Sequence, residues 1–88
     1  MVLIVLSPEK ELLRLEDATA VELPGTKGRF TVLQNHAPLV TSLEPGLVRY
    51  RSAASPTPSG TTGSDFTELP INGGFARIEN NTITVCAA

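Results

Sequence analysis

Hydrophobic and polar positions alternate in short runs along most of this chain, and turn-forming residues interrupt the runs at roughly eight- to ten-residue intervals. Residues 1–6 are continuously apolar and rich in β-branched side chains, the pattern of a strand covered on both faces. Ser7-Pro8-Glu9-Lys10 reads as a turn and residues 12–15 as a short strand. A helix over 8–20 competes, because Glu, Lys, Leu and Arg are good helix formers. Strand is preferred because Pro24-Gly25 closes the segment as a turn, with proline presetting φ and glycine accepting φ > 0. In that reading Thr19, Val21 and Leu23 face one way and Glu22 the other.

Further along, residues 30–33 predict a strand, Gln34-Asn35-His36-Ala37-Pro38 a turn, 39–43 a strand and Glu44-Pro45-Gly46 another turn. Over 47–51, Val48 and Tyr50 share one face while Leu47, Arg49 and Arg51 share the other. Residues 52–64 hold no aliphatic side chain larger than alanine and predict a flexible hairpin loop. Strands resume at 66–71, with Pro70 marking an edge or an end, followed by an Asn72-Gly73-Gly74 turn. Residues 75–79 and 82–86 predict a hairpin around Asn80-Asn81, since asparagine tolerates the left-handed conformation of a type I′ turn. Ile83 and Val85 point to one side of it, Thr82, Thr84 and Cys86 to the other. About eight or nine short strands and no convincing helix mean an all-β, antiparallel sandwich or barrel.

Composition narrows the function. Eighty-eight residues suit a single domain, and a hydrophobic fraction of 41% is enough for a core. The net charge is −2 and the seven cations are scattered, so a nucleic-acid partner is not expected. One cysteine, Cys86, excludes an internal disulfide or a cysteine-based zinc site and reads as a buried structural thiol. The longest apolar run, 1–6, is far short of the ~20 residues a helical membrane span needs. No positively charged segment precedes it, so it does not read as a signal peptide.

Catalytic chemistry is poorly supplied. Any Ser-His-Asp or Cys-His arrangement would have to use the single histidine, His36. Gly25 and Gly28 give a G-x-x-G too short for a phosphate loop. No catalytic residue, metal site, cofactor or small-molecule ligand is expected. His36 has two readings, a loop histidine that fixes a turn through a ring-to-backbone hydrogen bond, or a contact on a protein–protein surface. Lys27 and Arg29, flanking Gly28, are either ordinary solubility charges or a polar docking tip.

The run Leu23-Pro24-Gly25-Thr26-Lys27-Gly28-Arg29-Phe30-Thr31-Val32-Leu33-Gln34-Asn35-His36-Ala37-Pro38-Leu39 is more specific. It resembles the L-P-G-x-x-G-x-F-G-I-L-P-G-H-A-P-L signature of the epsilon subunit of F-type ATP synthases. Leu43-Glu44-Pro45-Gly46 is similar to the family's following L-x-P-G, and Ile71-Asn72-Gly73-Gly74-Phe75 to its S-G-G-F. The opening Ile4-Val5-Leu6-Ser7-Pro8-Glu9 and the closing Asn80-Asn81-Thr82-Ile83-Thr84-Val85 also match, in order. Thr31 stands where the family has glycine, and Gln34-Asn35 where it has Pro-Gly.

The resemblance implies a β-sandwich of two roughly five-stranded sheets and a non-catalytic rotor role in the central stalk. Such a subunit couples ion-driven rotation to ATP synthesis by docking on the gamma subunit and on the c-ring. It would lie peripherally at the cytoplasmic face of the inner membrane, reaching the membrane only through the ring. Carried over by position, the c-ring contact falls on Thr26, Lys27, Gly28 and Arg29. The gamma-subunit contact falls on His36, Ala37, Pro38, Leu43, Pro45 and Leu47. The family's loop often carries a carboxylate where Arg29 stands, which changes the charge pairing. Family members commonly continue into two C-terminal helices that inhibit hydrolysis; the expectation here is a short form without them. The alternative is a free-standing sandwich that binds a peptide or other ligand through an exposed aromatic cluster.

Overall fold

The computed structural model describes residues 1–52 and 66–88. Its strands are β1 (Val2–Leu6), β2 (Glu11–Leu15), β3 (Ala18–Gly25), β4 (Gly28–Leu33), β5 (Leu39–Ser52), β6 (Thr67–Glu79) and β7 (Thr82–Ala87). They form one mixed sheet in the order β2-β1-β7-β6-β5-β3-β4. Neighbours are antiparallel except β1 and β7, which run parallel from Val2↔Thr82 to Leu6↔Cys86. Among the described residues there is no helix, so the strand reading of 12–15 holds over the helical one, with Glu11 added to it.

Two lengths show that this sheet is folded over. Laid flat, β1 and β3 would stand about 19 Å apart, four strand spacings. Yet Met1 N donates to Ala18 O at 3.0 Å and Ala18 N donates to Met1 O at 2.9 Å. A straight β5 of 14 residues would reach about 46 Å, beyond the longest dimension of the molecule, 37 Å. The sheet therefore closes on itself as a sandwich. One layer holds β2, β1, β7, the second half of β6 and the first half of β5. The other holds the remaining halves of β6 and β5 with β3 and β4. Leu3, Val5, Ile83 and Val85 from the first layer and Val21, Leu23, Val32 and Val48 from the second share one core, each at most 1% exposed. Each such side chain contributes about 1.5–3 kcal/mol by leaving water.

Several sequence expectations are corrected here. Glu44-Pro45-Gly46 and Asn72-Gly73-Gly74 are not turns but a matched bend inside two long strands, with Pro45 opposite Asn72 and Leu43 opposite Gly74. Turn chemistry and bend chemistry use the same residues, and only the pairing partner separates them. Buried positions in β6 run Ile71, Gly73 and then Ala76, Ile78, so the inward face slips by one residue at Gly73-Gly74. Both glycines take positive φ there, 97° and 132°. The two merged pairs reduce the strand count to seven.

Pro24-Gly25 also lies within a strand. Gly25 pairs with Gly28, so the β3–β4 hairpin turns on Thr26-Lys27. Thr19 does not share a face with Val21 and Leu23, because the register slips between Ala18 and Ala20 and leaves Thr19 exposed. β1 is not covered on both faces: Leu3 and Val5 are buried, while Val2, Ile4 and Leu6 are half-buried on the outer side. Cys86, a free thiol, is half-buried rather than buried, because it shares that outer side. Asn80 and Asn81 adopt φ of 53° and 57°, as the type I′ reading requires. The loop expected over 52–64 lies outside the described residues except for Ser52, which ends β5.

Candidate docking surfaces

The two outer faces of the sandwich carry different chemistry. On the layer containing β3 and β4, charges cross four neighbouring strands as a ladder. Arg29 of β4 donates from Nη1 to Glu22 Oε1 of β3 at 3.2 Å, and Arg49 of β5 reaches the same carboxylate at 3.4 Å. Arg49 Nε then meets Glu68 Oε2 of β6 at 3.3 Å. Arg29 Nη2 also donates to Leu47 O at 3.0 Å. Phe66 completes this side, with the Arg49 and Arg51 guanidinium carbons 5.1 and 5.2 Å from its ring centre. The cations of this face are already engaged by the chain's own carboxylates, a carbonyl and a ring, although the buried Arg49 Nε makes its contact with Glu68 as an ion pair without hydrogen-bond geometry.

The opposite outer face is apolar at its centre. Cross-strand pairing lines up Ser42, Phe75, Cys86 and Leu6 in one row, and Val40, Arg77, Thr84 and Ile4 in the next. Directly paired residues share a face, so these side chains project together. Val40 is 68% exposed and Phe75 52%. Leu12, on the edge strand β2, is exposed as well. Scattered apolar residues are ordinary on a surface, but a contiguous set rimmed by polar groups marks an interaction site. Arg77, Glu79, Asn80, Thr82 and Thr84 line an open depression of about 330 Å³ that starts in the second row, between Val40 and Ile4, and runs to the β6–β7 turn.

The two segments that the sequence singled out flank this apolar centre. At one end, the Thr26-Lys27 turn is tied to β5: Thr26 N donates to Ser42 O at 3.1 Å, and the two hydroxyls lie 2.8 Å apart. Among the described residues Lys27 makes no hydrogen bond or ion pair, so its ammonium is open to solvent on the tip. At the other end, about 20 Å along the strand direction, lies the loop 34–38. There His36 Nδ1 donates to Ala37 O at 2.7 Å. A carbonyl only accepts, so Nδ1 carries a proton, and Nε2 is left out of this bond. The turn-fixing hydrogen bond expected of His36 is present, and it is compatible with a surface contact through the rest of the ring.

Within the carried-over set, Thr26, Lys27, Gly28, Arg29, Ala37, Pro38 and Pro45 are exposed, and His36 and Leu47 half-buried. Leu43 is different: it is 5% exposed and belongs to the core, where the bend in β5 turns it inward. Sequence reasoning missed Val40 and Phe75. Phe75 ends one of the motifs read from the sequence, but nothing in that motif says which face the side chain takes. Phe75 and Phe66 lie on opposite outer faces and Phe30 and Tyr50 pack on the core, so among the described residues no exposed aromatic cluster is assembled.

Comparison with known proteins agrees with this architecture. The family described as ATP synthase, Delta/Epsilon chain, beta-sandwich domain matches residues 1–88. An ATP synthase epsilon chain of Desulfitobacterium hafniense is 36% identical over 83 residues, covering 94% of this chain and 54% of that one. One from a Synechococcus strain is 39% identical over 83 residues, covering 92% and 51%. The chain thus spans about half the length of the curated relatives it matches. Among solved structures, a chain of the Euglena gracilis mitochondrial ATP synthase (OSCP/F1/c-ring) superposes with a TM-score of 0.81 at 19% identity, covering 99% of this chain and 49% of that one. A chain of the Tetrahymena thermophila mitochondrial ATP synthase central stalk and c-ring gives 0.75 at 16% identity, covering 99% and 62%. With the signature motifs in order, a folded-over sandwich and a family match along its whole length, this chain belongs to the ATP synthase delta/epsilon family, of which it forms the β-sandwich domain.

Proposed function

We propose that this domain is a non-catalytic rotor element of an F-type ATP synthase, seated in the central stalk between the gamma subunit and the c-ring. The family match over residues 1–88 carries the reading. In it the domain breaks no bond; it transmits torque between two larger bodies when ion flow turns the ring. That task needs a stiff body with separate contact surfaces. A closed, close-packed core resists compression, which supports the first requirement. The apolar face around Val40 and Phe75, flanked by two tied loops, supports the second.

In this reading the exposed Thr26-Lys27-Gly28 tip, with Arg29 at its base, meets polar loops of the c-ring. His36, Ala37 and Pro38, with Pro45 and Leu47 nearer the bend, belong to the gamma side. Val40 and Phe75 extend that side with the apolar area a lasting contact requires, on the order of 1,000 Å² in total. Leu43 serves it only from beneath, as core. Arg29 holds Glu22 and Leu47 O, so it shapes the tip more than it offers a free charge. The site of action is the membrane-facing end of the stalk, on the cytoplasmic side, with no direct membrane contact.

The test is binding of the full chain to its cognate gamma subunit and to the c-ring, by calorimetry, with surface variants. Val40→Asp should weaken gamma binding at least tenfold, and Lys27→Glu should weaken ring binding, each with a melting temperature within about 2 °C of the parent. Failure of the parent chain to bind either partner would remove the proposal.

A further inference from the structure

Two left-handed asparagines from distant parts of the chain are joined at one end of the sandwich. Asn35, in the loop 34–38, has φ 66°, and Asn81, in the β6–β7 turn, has φ 57°. The Asn35 N–H donates to Asn81 Oδ1 at 2.5 Å, and Asn81 Nδ2 donates back to Asn35 Oδ1 at 3.0 Å. Asn81 also accepts, through its backbone carbonyl, from Val2 N at 2.9 Å. One residue thereby connects the β6–β7 hairpin, the start of β1 and the loop that carries His36. The turn itself needs only a residue that tolerates φ > 0 at position 81, which glycine would do with less strain. The side-chain amide is surplus to the turn, and both of its hydrogen-bonding ends are spent on Asn35.

We infer that Asn81 is a positioning residue for the loop 34–38: its amide latches Asn35 in the left-handed conformation and so sets the direction in which His36, Ala37 and Pro38 leave the sandwich. This deepens the docking role proposed above for that loop and rests on it. A non-glycine residue at positive φ holds that conformation poorly by itself. Here the donor–acceptor pair across to a rigid hairpin over-determines it. With the latch intact the loop meets a partner already ordered, and the ordering entropy is not charged against binding.

The experiment uses the full chain and four variants, Asn81→Gly, Asn81→Asp, Asn35→Gly and the double glycine variant. Three quantities are read: exchange of the Asn35 amide proton, melting temperature, and affinity for the cognate gamma subunit. Asn81→Gly keeps the turn and deletes the latch. It should speed Asn35 exchange about tenfold, lower gamma affinity by about the same factor and leave the melting temperature within a few degrees. Asn81→Asp retains an oxygen for the Asn35 N–H and should restore most of the protection. If the two sites are coupled, the double variant should lose less affinity than the two single losses combined. Unchanged Asn35 exchange in Asn81→Gly overturns the latch. Faster exchange with unchanged gamma affinity overturns its role in docking. If the parent chain does not bind gamma at all, the docking reading fails, and the exchange contrast between Asn81→Gly and Asn81→Asp still decides whether the latch exists.

Discussion

Gly74 and Gly28 offer a controlled measurement of what the bend in β6 demands. Both adopt nearly the same φ, 132° and 127°, so replacing either with alanine imposes similar backbone strain. Their surroundings differ. A Cβ on Gly28 would meet nothing within 4 Å. A Cβ on Gly74 would fall deep inside the van der Waals radius of Cys86 O and lie 3.0 Å from Ala87 Cα, both backbone atoms of β7. Backbone strain of this kind costs about 1–3 kcal/mol. Gly28→Ala should therefore lower the melting temperature by about 4–8 °C for each kcal/mol. Gly74→Ala carries the same strain and must also push β7 away. That breaks the ladder where Gly74 pairs with Ala87 and Phe75 with Cys86. Losing two such hydrogen bonds adds about 2 kcal/mol or more. A domain of this size has a total stability of about 4–13 kcal/mol, so Gly74→Ala should remove a large share of it. Urea and thermal melts followed by circular dichroism, with both variants in parallel, give the steric contribution as the difference. Midpoints for the two variants within 2 °C of each other would refute the claim that the strands are pressed together at this corner.

Other predictions follow from the core and the two outer faces. Leu23→Ala empties a fully buried position and should cost about 2–5 kcal/mol, read as a reduced urea midpoint. Glu22→Gln removes the carboxylate that Arg29 and Arg49 share, where the side chain is only 18% exposed; a loss of about 1–2 kcal/mol is expected, shrinking at high salt as the ladder is screened. Arg29→Glu places like charges together at the same point and should lower the melting temperature as well as weaken assembly, so Lys27→Glu is the cleaner probe of the tip. Phe75→Ser, at a half-exposed position, should leave the melting temperature within a few degrees while weakening gamma binding measured by calorimetry.

Much of the sandwich was legible because local signals agreed with each other. The Asn80-Asn81 turn, the inward Ile83 and Val85, and the opposed faces of Val48 and Arg49 all follow from a period of two and from the φ that asparagine tolerates. The bends were misread for a physical reason. Pro45-Gly46 and Gly73-Gly74 free the backbone just as a chain reversal would, and nothing local says that each faces the other across a ladder. The same limit hid part of the candidate site. Arg29 and Glu22 are seven residues apart, and their contact depends on the hairpin turning at Thr26-Lys27 instead of Pro24-Gly25. Val40 and Phe75 were placed on strands without a face, because the rows they join across β5, β6 and β7 depend on pairings that no local signal gives. His36 was singled out from the sequence, but Asn81, whose amide holds Asn35 in the same loop, lies 46 residues beyond Asn35 and carries no mark apart from its turn role.

The parallel pairing of β1 with β7 has a consequence for how this chain is made. Strand β1 receives its second neighbour only when residues 82–86 have been synthesised. Until then one edge of β1 stands open, with Leu3 and Val5 uncovered, in a nascent polypeptide that cannot yet complete its core. Closure joins residues 80 apart in sequence, Val2 with Thr82, a high contact order that slows folding. A chain stopped before β7 would emerge as a sticky fragment instead of a smaller domain.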